Sequence, residues 1–100
     1  MAWKYVWNII MILEIPLQQV PNQTFGVTLG GSDYELTLSY RLGQTFLSIV
    51  KDNEPLIYNR ICQDNNPIGQ FGFVDIAGTE NPVYTGFNDR FKLVWSDGVA

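Results

Sequence analysis

The stretch TFGVTLGGSDYELTLSYRLGQTFLSIVKDNEPLIYNRIC, residues 24–62, decides the fold. At its centre Tyr34, Leu36, Leu38 and Tyr40 alternate with Glu35, Thr37 and Ser39. Period-two alternation is the pattern of a strand with one face buried. Leu36 and Leu38 are therefore core candidates, and Glu35 points to solvent. Upstream, Phe25, Val27 and Leu29 share one face of a second strand. Gly30-Gly31-Ser32-Asp33 joins the two strands with residues that tolerate positive φ. Downstream, Leu42-Gly43-Gln44 turns the chain into a strand over Thr45 to Val50. Lys51-Asp52-Asn53-Glu54 turns it again, into a segment from Leu56 to Cys62. Four strands on short turns predict an antiparallel meander.

The same signals continue outward. After the polar loop Gln63–Pro67 comes a short apolar strand with Phe71, Phe73, Val74 and Ile76. Gly72 inside it marks a bulge or a close backbone approach. A second polar loop runs from Ala77 towards Gly86, and Phe91, Leu93 and Trp95 then alternate in a last strand. At the amino end the odd positions Trp3 to Ile15 are all apolar, which favours a strand over a helix. Pro16 ends that strand or confines it to a sheet edge. The fold expected is all-β: a small antiparallel β-sandwich or partly open β-barrel of about seven short strands. A chain of 100 residues is expected to be a single domain, 1–100, with a β domain over 12–96 and residues 1–11 as an extension.

Composition narrows the chemistry. Charged residues are 16% of the chain, against roughly 25% in an average soluble domain, which suggests surface covered by other protein. The absence of histidine removes Ser-His and Cys-His catalysis and most zinc and copper sites. A lone cysteine, Cys62, forms no internal disulfide and no thiolate cluster, and at a strand end it reads as a small buried hydrophobe. The formal charge of −4 and the scattered bases Lys4, Arg41, Lys51, Arg60, Arg90 and Lys92 argue against nucleic acid and anionic membranes. The amino-terminal apolar run is broken by Asn8 and Glu14 and is too short to span a bilayer. Met11 is a second possible start.

The remaining acids and aromatics have ordinary structural uses as well as chemical ones. Paired carboxylates run glycoside hydrolysis, but Asp33, Asp52, Glu54, Asp64, Glu80 and Asp89 lie in turns, where acids are mostly solvated. Asp64-Asn65-Asn66 and Asn88-Asp89 are the places where calcium could sit, yet neither has the spacing of a calcium loop. The expectation is no catalytic residue, no cofactor and no metal. Tyr58, Tyr84 and Trp95 are potential stacking platforms of a stand-alone carbohydrate- or peptide-binding β module. Trp3, Tyr5 and Trp7 are the candidate interface, because three large rings on one face either complete a core or dock onto a partner.

A longer pattern runs through these segments. Ile15-Pro16-Leu17 leads to Val20-Pro21-Asn22-Gln23-Thr24-Phe25, then to Tyr34-Glu35-Leu36-Thr37-Leu38. Asn59-Arg60-Ile61-Cys62, Asn66-Pro67-Ile68 and Phe71-Gly72-Phe73-Val74-Asp75 follow, and then Ala77 to Tyr84 and Arg90 to Val94. In order and spacing this resembles the phage baseplate plug family over about residues 12–96. It departs from that pattern in a short Ile68–Phe71 connection and in the first ten residues. The resemblance implies a virion structural protein of a contractile-tail baseplate, assembled in the host cytoplasm and without catalytic residues. It implies contact with baseplate hub, spike and tail-tube-initiating proteins. It also implies a homo-oligomer, a trimer or hexamer, given the symmetry of such baseplates. Because the similarity begins near Ile12, residues 1–10 are expected to serve as a docking strand.

Overall fold

Three two-residue turns build the larger sheet. Gly30-Gly31, Leu42-Gly43 and Asp52-Asn53 each hold both central residues at positive φ. This is the signature of the type I′ turn, whose twist matches that of the strands it joins. In a computed structural model, which describes residues 12–97, these turns link β2 (Gln23–Leu29), β3 (Ser32–Arg41), β4 (Gln44–Lys51) and β5 (Glu54–Ile61) in the order β2-β3-β4-β5. A second antiparallel sheet holds β1 (Ile12–Ile15), β7 (Phe91–Ser96) and β6 (Phe71–Asp75) in the order β1-β7-β6. Among the described residues seven strands in two sheets make a β-sandwich, and neither sheet closes into a barrel. Among the described residues the helical content is one 3-10 turn, Tyr84–Gly86.

The expected alternation appears in the burial. Leu36 and Leu38 are 0% and 1% exposed, with Leu47 and Ile49 beside them on β4. The facing sheet contributes Phe71, Phe73, Phe91, Leu93 and Trp95. Tyr34 meets Phe71 edge to face at 5.2 Å and Phe73 stacks on Phe87 at 5.5 Å. Among the described residues Thr45 and Asp75 are the buried polar ones. Thr45 belongs to β4. Its hydroxyl donates to the Pro82 carbonyl at 2.9 Å and its carbonyl accepts from the Cys62 N–H, so the loop before the 3-10 turn is strapped across β4. Cys62 is buried in the core, as a small hydrophobe would be.

Three local features depart from a simple reading. β5 carries register shifts opposite Leu47–Val50, and Asn59 sits at φ 48° with its N–H on the Ser48 hydroxyl. Gly72 lies in a regular ladder with no bulge, and the Pro67 backbone lies 3.6 Å from where a Cβ would stand. The short Ile68–Phe71 connection is a two-residue turn closed by reciprocal bonds of 2.7 and 3.0 Å. β1 ends at Ile15, directly before Pro16, and is an edge strand.

Candidate interaction surfaces and the Asp75 loop

Asp75 ends β6 on the inward-facing side of the Phe71, Phe73, Asp75 alternation. A carboxylate there must be satisfied by the chain around it. Arg90, just before β7, supplies two donors: Nε to Oδ1 at 2.9 Å and Nη2 to Oδ2 at 2.5 Å. The backbone N–H groups of Ala77 and Glu80 donate at 2.9 and 2.8 Å. The Ile76 N–H donates to the Arg90 carbonyl, and the guanidinium lies over the Phe91 ring at 4.9 Å. The Arg90 hydrogen bonds, helped by those two backbone donors and partly opposed by burial, hold the Asp75 carboxyl well below the usual carboxylate range. Asp75 therefore works as the anchor of the 76–90 loop. Its inward register is visible in the sequence, but its partner is fifteen residues away.

The other polar candidates also have structural duties. Asp64 Oδ1 accepts from the Asp75 N–H at 2.8 Å, and the Asp64 N–H donates to Asn81 Oδ1 at 3.1 Å. Asn66 bonds Gln63. The Asn88 amide bridges Leu17, accepting from its N–H and donating to its carbonyl. Among the described residues no group of three or more acids or cysteines gathers as a metal-binding set. Burial pushes the Cys62 thiol up to about 12, and its Sγ neighbours the Arg60 carbonyl rather than the guanidinium.

The stacking-platform reading is corrected by burial. Trp95 is in the core at 3% exposure, because its position continues the inward row of Phe91 and Leu93. Tyr84 packs on the core and meets Tyr40 edge to face at 5.0 Å. Only Tyr58 of the three is open, at 84%. Trp3, Tyr5 and Trp7 lie outside the described residues.

What the surface does offer is apolar contact area. Leu42 is fully exposed at a hairpin tip, at φ 53°. Leu56 and Tyr58 stand out from β5, Ile12 and Val74 from the three-stranded sheet, and Ile76 from the loop just past β6. Among the described residues no helix is long and apolar enough to cross a membrane. A search of curated proteins returned no match. The family model described as "Cyanophage baseplate Pam3 plug gp18" matches residues 12–98, a span that takes in every strand of both sheets. The chain belongs to this family of cyanophage baseplate plugs and is a structural component of a phage tail baseplate.

Proposed function

We propose that the chain is a plug of a contractile-tail baseplate that acts through protein–protein contact and catalyses nothing. The family match over residues 12–98 carries this reading. Two features of the chain support it. The most perturbed groups, Asp75 and Cys62, are spent on loop anchoring and core packing. Exposed apolar side chains such as Leu42, Leu56 and Tyr58 suit contact with other proteins. Its partners are the baseplate hub, spike and tail-tube-initiating proteins, and it assembles with itself as a trimer or hexamer in the host cytoplasm. The test is co-expression with the hub and tube-initiating proteins of the same phage. A complex that survives gel filtration is expected. A chain that stays apart from them and binds glycans or free peptides as a monomer would overturn the reading.

A further inference from the structure

The four sheet edges are treated unequally. The outer edge of β6 is covered: the Asn65 N–H bonds the Phe73 carbonyl, Asp64 bridges to Phe73, and Ile68 closes onto Phe71. β5 is bent by its register shifts and carries Pro55, which has no N–H to offer. β1 and β2 have neither device, and among the described residues nothing pairs with their outer edges. These two edges lie on one flank. Trp95 of β7 touches Gly30 at the end of β2, and Tyr34 of β3 touches Phe71 of β6, so β1 and β2 fall together on the side away from β6.

Along this flank the inner face is incompletely covered. Phe25 and Val27 of β2 are only partly buried, and Leu13 of β1 is 38% exposed. A cleft of about 460 Å³, lined by Leu17, Asn22 and Phe25 among others, opens at its lower end. At the upper end stands Trp95, opposite Leu13 and against Gly30, and its indole N–H is buried without an acceptor. A buried donor without a partner is costly, and this one is enclosed within the core rather than open to the edge.

We propose that this flank receives, along the edge of β2, the amino-terminal segment of a second copy of the chain. Residues 1–11 reach at most about 35–40 Å when extended, more than the roughly 23 Å of a seven-residue strand such as β2. The alternating Trp3, Tyr5 and Trp7 supply the large apolar face that Phe25, Val27 and Leu13 lack. In sequence, the three residues before β1, Ile9-Ile10-Met11, hold no Gly, Asn or Asp for a tight turn back, the nearest being Asn8, which favours a neighbour's flank over the chain's own. Such a contact is head-to-tail, and it closes into a ring when the rotation permits. The inference does not depend on the baseplate reading.

The test is disulfide cross-linking of full-length chains. Lys4→Cys, Val6→Cys or Asn8→Cys in one chain, on the face opposite the large rings, is mixed with Thr24→Cys or Thr28→Cys in another. Thr24 and Thr28 lie on the exposed outer face of β2, and the native Cys62 is buried and silent. At least one pairing should give a covalent dimer of the two different chains after oxidation. A chain carrying both cysteines of that pairing should then give a ladder of multimers. An intramolecular product alone, or no cross-link at any pairing, would overturn the proposal. As a second measurement, Val27→Lys should lower the mass seen in light scattering while circular dichroism stays unchanged. A folded variant whose assembly is intact would also contradict the proposal.

Discussion

Arg90 grips the Asp75 carboxylate with two donors, Nε at 2.9 Å and Nη2 at 2.5 Å, while two backbone N–H groups of the following loop bind the same two oxygens. The pair sits where β6 hands over to the long connection before β7, so one carboxylate fixes both ends of that connection. A folded-state pKa held below the ordinary 3.8 means that the folded chain binds the proton less readily than the unfolded one. The resulting stability is complete well above pH 3.8 and is lost as pH falls below that value towards the folded-state pKa. Melting curves between pH 6 and pH 2 should show this fall in the wild type. Asp75→Asn should melt lower at pH 6 and lose less on acidification. Parallel curves for the two proteins would show that the carboxylate is not the anchor.

Leu36→Ala and Leu38→Ala should each cost about 2–5 kcal/mol, because each removes a fully buried side chain and leaves a cavity between the sheets. Their neighbour Glu35 faces solvent, and Glu35→Ala should change stability by no more than about 0.5 kcal/mol. Urea denaturation measures all three. Equal effects at positions 35 and 36 would contradict the assigned face.

Leu42 adopts a left-handed conformation that costs a branched side chain free energy, and it is fully exposed. Leu42→Asn creates the favoured Asn-Gly turn and should raise stability by about 1 kcal/mol. In a hub-binding assay the same variant should bind more weakly, since the apolar tip is lost. A variant that is destabilised would show that Leu42 makes contacts in the folded chain.

Gly86 approaches Phe91 closely: a Cβ there would lie 2.7 Å from the ring, and the ring is packed in the core. Gly86→Ala should destabilise the chain by about 1–3 kcal/mol, the usual range for overpacking. Thermal melting checks this, and an unchanged midpoint would mean that the 3-10 turn shifts freely.

Cys62 should be inert in the native state. With its thiol pushed up to about 12, the thiolate fraction at pH 8 is on the order of one in ten thousand. A thiol reagent should label it only after denaturation. Stoichiometric labelling of the native chain would contradict its burial.

The frame of the fold was legible because β2, β3 and β4 each alternate cleanly between residues suited to positive φ. Gly30-Gly31 and Asp52-Asn53 are such turns, and Leu42-Gly43 is one by its glycine. Long-range pairing was less legible. Nothing local in Ile12–Ile15 says that its partner is β7, some eighty residues on. The chemistry of the site showed the same limit. Asp75 lay in plain register with Phe71 and Phe73, but its burial makes sense only once Arg90 is brought beside it. Trp95 looked free to stack on a ligand, yet its inward register with Leu93 places it in the core. The bulges of β5 were hidden, because Asn59 at positive φ looks like an ordinary polar strand residue.

Purified virions of the phage that encodes this β-sandwich show whether it is a structural plug of the tail baseplate. Cross-linking followed by mass spectrometry of intact particles reads both presence and neighbours. Peptides of this chain should be present in the virion, cross-linked through Lys51 or Lys92 to hub or tube-initiating proteins. A chain abundant in infected cells but absent from purified particles would contradict it.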